Sequence, residues 1–144
     1  MNNNASYNVF VYGTLKQGRS NHSLLDDAVF LGRNAVHGPY KLMDLGPYPA
    51  VVDYHKDNGA PIKYVVGEVY SVDLDTFLSL DALEGYPHFY SRREVDTSFG
   101  KAWMYTFMSR ADLPEDKWKE CDGIWRPTKE EQDWFSTMAR VGSP

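Results

Sequence analysis

An α+β fold dominated by strands, whose largely antiparallel sheet closes on itself or nearly so, is what this sequence predicts. Three observations carry that reading. Short runs of β-branched and aromatic residues recur between turn signals from Val9 to Phe107. Convincing helix signatures are few. The strands are not interleaved with long helices, as a doubly wound parallel sheet would require. The 144 residues contain no internal repeat, low-complexity tract or linker, so a single domain spanning 1–144 is expected.

The elements follow in order. Val9, Phe10 and Val11, ending at Tyr12, read as a buried strand, and Gly13 then lets the backbone turn out of the sheet. The amides after Gly13 cannot all pair within the sheet and need another acceptor. Successive amides on such a turn form a concavity that suits a carboxylate or a phosphate. Residues 21–26 form a short helix carrying Leu24 and Leu25, and a strand over 28–36 follows. Pro39, Gly46, Pro47 and Pro49 separate short strands around 40–42 and 50–52, and Asp57-Asn58-Gly59 marks a turn. Residues 64–70 read as a central strand. Asp73 caps a helix over 74–84 that stops at Gly85. Strands over 90–97 and 102–107 come next. Thr128 and Glu131, in capping-box spacing, open a second helix with Trp134, Phe135 and Met138 on one face.

Bulk properties remove several classes of function. The net charge is −5 with no basic run, which argues against nucleic-acid binding. No apolar stretch approaches membrane-spanning length, so no membrane partner is expected, and the first six residues lack the regions of a signal peptide. Cys121 is the single cysteine, which rules out an internal disulfide or a thiolate metal cluster and fits a reducing, cytoplasmic setting. His22, His37, His55 and His88 lack paired ligand spacing, so no metal site is expected.

One carboxylate stands in an unusual place. With about 100° per helical residue, Glu84 projects only about 20° from Phe77, on the stripe assigned to Leu74, Leu78 and Leu80. A carboxylate carried into apolar surroundings has a raised pKa and becomes a usable general acid or base. The plainer alternatives are that Glu84 reaches water at the helix end or pairs with Arg92 or Arg93. Asp81, about 40° from Phe77, fits best as an acid bonded to nearby backbone or an arginine.

These residues match a known pattern. Val11-Tyr12-Gly13-Thr14-Leu15-Lys16-Gln17-Gly18, with Asn21-His22 after it, resembles the N-terminal signature of the gamma-glutamylcyclotransferase-like superfamily, nearest its gamma-glutamylamine cyclotransferase and AIG2-like branch. Val66-Gly67-Glu68-Val69-Tyr70 resembles that family's central strand, Leu80-Asp81-Ala82-Leu83-Glu84-Gly85-Tyr86-Pro87 its catalytic-glutamate segment, and Tyr90-Ser91-Arg92 the start of the next strand. The resemblance covers residues 8–107 and leaves 108–144 as a C-terminal extension. It implies a small mixed, largely antiparallel β-barrel with a few helices packed outside and a cavity at one mouth. It further implies that the loop Tyr12, Gly13, Thr14 and Leu15 holds the α-amino-acid end of a γ-glutamyl group, that Tyr90 lines the same pocket, and that Glu84 moves the proton. The implied reaction needs no cofactor: the substrate's α-amine attacks its own γ-carbonyl, giving 5-oxoproline and a free amine.

Rival readings are weaker. Gly13 to Ser20 comes close to a phosphate-binding loop, with Arg19 where lysine is expected, but such a loop should open a long helix in a parallel sheet. Nothing fixes a histidine beside Cys121, as a cysteine hydrolase would need. The alternative from another class is a non-catalytic small-molecule binding or sensor module that keeps the same pocket.

Overall fold

The computed structural model describes residues 6–46, 48–56, 58–108 and 118–126. The chain runs through β1 (Ser6–Val11), a 3-10 turn (His22–Leu25), β2 (Val29–Gly38), β3 (Tyr40–Asp44), β4 (Pro49–Asp53) and β5 (Lys63–Asp73). It continues through α1 (Leu74–Glu84), β6 (Ser91–Thr97), β7 (Gly100–Met108) and the two-residue β8 (Lys119–Glu120). The strands join in the order β2-β5-β1-β7-β4-β3-β8, and β6 also pairs with β7. The β1–β7 and β4–β7 pairings are parallel, and the others are antiparallel. The α+β, mixed and largely antiparallel expectation therefore holds.

The sheet curls into a half-barrel. Its β6 edge returns toward β2, where Asn34 Nδ2 donates to Ser98 Oγ at 2.8 Å. The Phe99 ring lies so close to Gly32 that a Cβ there would sit 2.6 Å from it. Side chains rather than a hydrogen-bonded ladder bridge this seam among the described residues.

Alternation along β1 divides the core. Phe10 and Tyr12 join Val36, Leu42, Val51, Val69, Met104 and Trp125 in one apolar cluster. Val9 and Val11 point the other way and join Tyr70, Val72, Phe77, Leu80 and Tyr105. A strand buried on both faces must be apolar throughout, which is why Val9 to Tyr12 carries no polar alternation.

The helix bounds follow their caps. Asp73 Oδ1 accepts the Thr76 amide at 2.8 Å, and Gly85 closes the helix in the left-handed region at φ 69°. The packed face is narrower than expected. Phe77 and Leu80 are buried, whereas Leu74 and Leu78 are 47% and 55% exposed. The contact face thus runs from Leu80 through Glu84 and Phe77 to Asp81, and the other two leucines sit on its far flank. This shift brings Glu84 toward the centre of the packed face.

Strand β8 was not expected, because Lys119 and Glu120 have no strand propensity of their own; pairing with Met43 and Asp44 places them there. The helix expected from Thr128 lies outside the described residues.

Candidate active site

The register of β1 on β5, from Ser6 opposite Asp73 to Val11 opposite Glu68, fixes where the chain leaves the sheet. Tyr12 to Leu15 therefore begin just past Glu68. Gly13 is needed there, though not for a left-handed turn, since its φ is not positive. Pro49 packs directly against it, and a Cβ on residue 13 would lie 2.6 Å from the proline ring. The sequence pointed to the right glycine, but close approach rather than backbone freedom is the reason.

The loop is braced on all sides. Lys16 N donates to Gly13 O at 3.0 Å and Asn21 N to Thr14 O at 2.8 Å. The Asn21 side chain reaches Thr14 Oγ1 at 2.9 Å, and His22 Nδ1 donates to Leu15 O at 2.9 Å. Glu68, buried on β5, accepts the Gln17 amide and the Tyr70 hydroxyl, each at 2.9 Å. Lys16 turns inward to the Trp125 carbonyl at 3.1 Å, and burial, with Arg19 beside it, lowers its ammonium to about 8. Sequence reasoning missed the role of Glu68; an acid inside the apolar run Val65 to Tyr70 was its available signal. With its neighbours so occupied, the amides of Gly13, Thr14 and Leu15 reach no protein acceptor among the described residues.

Those three residues line a cavity of about 400 Å³ together with Tyr12, Glu84, Tyr90 and Tyr105. The volume suits a small molecule rather than a polymer. All six residues expected at the site, Tyr12, Gly13, Thr14, Leu15, Glu84 and Tyr90, therefore meet in one place. Pro49, Leu83, Phe89 and Tyr105 also line it and were not expected there, and Tyr48 lies on the same wall. Nothing local in the sequence marks them, because they come from four separate segments.

The arginines settle the environment of Glu84. Arg92 grips Asp81 with two of its nitrogens, Nε at 3.1 Å and Nη2 at 3.2 Å, and its guanidinium lies 4.1 Å from the Tyr86 ring. Arg93 Nε donates to Asp53 Oδ2 at 2.6 Å. Neither arginine lines the cavity. Glu84 is left without a hydrogen-bond or ion-pair partner among the described residues, and burial raises its carboxyl from 4.5 to about 7. A group at that value is ionised and protonated in comparable amounts near neutrality, as an acid–base carrier should be.

The tyrosines shape the cavity rather than donate into it. Tyr12 OH donates to Tyr105 O at 2.7 Å and accepts the Val51 amide at 3.2 Å. Tyr90 OH donates to Pro49 O at 2.7 Å, and Tyr105 OH to Asp81 Oδ1 at 2.6 Å. Burial pushes all three phenols far above their usual range, so they stay protonated.

The loop is followed by a four-residue 3-10 turn, not the long helix that a phosphate loop opens. Cys121 packs half-buried against the core, where burial pushes its thiol up to about 11, away from thiolate chemistry. Among the described residues no three His, Cys, Asp or Glu side chains converge as metal ligands would.

Comparison with known proteins matches residues 9–127 to the family model described as gamma-glutamyl cyclotransferase, AIG2-like. The chain belongs to this family. A Vibrio cholerae protein provisionally named a gamma-glutamylcyclotransferase is 44% identical over 99 residues, covering 69% of this chain and 80% of that protein. The gamma-glutamylcyclotransferase family protein YtfP of Escherichia coli K12 is 36% identical over 104 residues, covering 72% of this chain and 85% of the relative. Among solved structures, a mouse AIG2-like protein superposes with a TM-score of 0.65 at 28% identity, covering 84% of this chain and 88% of that one. No helix among the described residues is long and apolar enough to cross a membrane.

Proposed function

We propose that the protein is a cofactor-independent cyclotransferase that converts a γ-glutamyl amine, or a related γ-glutamyl compound, to 5-oxoproline and a free amine. The observation that carries this reading is the Glu84 carboxyl, unpartnered among the described residues and raised to about 7, in the same cavity as three amides without protein acceptors. The amides of Gly13, Thr14 and Leu15 hold the α-carboxylate or the oxyanion that develops on the γ-carbonyl. Ionised Glu84 takes a proton from the substrate's α-ammonium. The freed nitrogen attacks the γ-carbonyl carbon, and the carbonyl pair moves onto oxygen. Glu84 returns its proton to the leaving nitrogen, and collapse of the oxyanion breaks the bond to that amine. The second proton shed by the ring nitrogen passes the same way, so the amine departs as an ammonium and Glu84 ends ionised.

Nucleophile and electrophile belong to one molecule, so holding the chain folded back contributes most. Orientation of this kind is worth roughly 7–11 kcal/mol. The aromatic walls of Tyr12, Tyr90 and Tyr105 suit that task because their hydroxyls are tied to the scaffold and the rings cannot swing away. A reducing, cytoplasmic setting accords with the single cysteine. Incubation with a panel of γ-glutamyl amines and detection of 5-oxoproline by mass spectrometry tests the proposal. If a folded sample produces none from any member, the cavity serves binding alone.

A further inference from the structure

Just past the Tyr12–Leu15 loop, cationic side chains gather around a single acid. Lys16 Nζ donates to the carbonyl of Trp125, the residue before Arg126. Arg33 stands directly opposite Glu68 in the β2–β5 register, and directly opposed residues share a face of the sheet. Glu68 in turn accepts the amide of Gln17, two residues before Arg19. Lys16, Arg19, Arg33 and Arg126 are thus drawn to one place. Burial and these three guanidiniums together lower the Lys16 ammonium to about 8.

Among the described residues the cluster is not neutralised. Glu68 is the one carboxylate that supports the Lys16 charge, and its Oε1 is already committed to the Gln17 amide and the Tyr70 hydroxyl. None of the four cations is ion-paired. Arg19 Nε is buried with no hydrogen-bond partner, and a buried donor in that state calls for an acceptor. The excess is local, because the protein as a whole carries a net charge of −5.

The donors define the chemistry of the missing acceptor. Guanidinium forks match the oxygens of a phosphate group and hold it through paired hydrogen bonds. Four cations facing one carboxylate are offset better by a dianion than by a monoanion. Arg33 and Arg126 are exposed, so a solute can reach them from water. None of the four lines the cavity, which separates this cluster from the loop amides and Glu84.

We propose that Lys16, Arg19, Arg33 and Arg126 form a second binding site, outside the cavity, that takes a phosphate group, either free or as a monoester. It does not depend on the cyclotransferase reading.

The test titrates the full chain with inorganic phosphate and with methyl phosphate by isothermal calorimetry, against sodium chloride at matched ionic strength. At least one should saturate with a Kd of about 1 mM or tighter. Tighter binding of methyl phosphate assigns the site to an ester, and equal or weaker binding assigns it to the free ion. The Arg33→Gln/Arg126→Gln double variant should bind at least about tenfold more weakly, since both cations are lost. Both residues are exposed, and circular dichroism checks the fold; if the pair does not fold, Arg126→Gln alone should weaken binding at least about threefold. Absence of saturation by about 20 mM of either anion overturns the proposal. Binding unchanged in the folded variant also overturns it, and places the anion on the loop amides instead. Neither result bears on 5-oxoproline formation, because no turnover is read.

Discussion

Replacing Glu84 with glutamine keeps the side chain's size but removes its charge and its transferable proton. Burial raises the Glu84 carboxyl from 4.5 to about 7, so between those values the folded protein binds a proton that the unfolded chain does not. The sign follows from linkage: this contribution to stability is fully present below about 4.5 and is lost as pH rises through about 7. At about 1.4 kcal/mol per unit, the loss reaches at most about 3.5 kcal/mol, and water at the cavity mouth reduces it. Glutamine does not ionise, so Glu84→Gln escapes that loss. Its melting temperature relative to the unmodified protein should therefore rise between pH 4.5 and pH 8.5, by up to about 10 °C. Activity should move the other way, falling roughly 10²–10⁴-fold with loss of the proton carrier. Thermal melts across pH and 5-oxoproline release from one good substrate give both quantities. A stability difference that does not change with pH would show that Glu84 is not held in apolar surroundings. Activity retained within about tenfold, or about 1.4 kcal/mol of barrier, would remove it from the mechanism.

Other perturbations separate scaffold from chemistry. Gly13→Ala drives a methyl into the Pro49 ring and should destabilise by about 1–3 kcal/mol while lowering kcat/KM, seen by denaturant melts and steady-state kinetics. Tyr90→Phe leaves the Pro49 carbonyl unsatisfied at a cost of about 1–3 kcal/mol. Its kcat should nevertheless stay within about threefold, because that hydroxyl is committed to the scaffold; a loss of about a hundredfold would mean it acts on substrate. Arg92→Ala strands Asp81 near the helix end with only Tyr105 as a partner, and should cost about 3 kcal/mol in urea unfolding. The unpaired Asp81 charge should also raise the pH midpoint of kcat/KM, which a purely structural role for Arg92 would leave in place.

The sequence by itself determined what depends on neighbours along the chain. Period-two runs and turn residues placed the main strands, and Asp73 and Gly85 set both ends of α1, because caps and breakers act within a few residues. Helical periodicity put Glu84 on the inward side, and ordered motifs drew Tyr12 to Leu15, Glu84 and Tyr90 together before any fold was known. Tertiary structure decided what depends on contacts between distant segments. Which face of α1 packs was set by the sheet beneath it, so Leu74 and Leu78 stayed exposed while Glu84 moved inward. Whether Glu84 kept its proton was decided by Arg92 and Arg93, which took Asp81 and Asp53 and left it unpaired among the described residues. Pro49, from a strand some thirty-five residues away, explains Gly13, and Phe89 became a cavity wall only because the turn after Gly85 pins it there. Local propensities are written in short windows of sequence. A pKa, a close approach or a pocket wall is a sum over side chains that folding alone brings together.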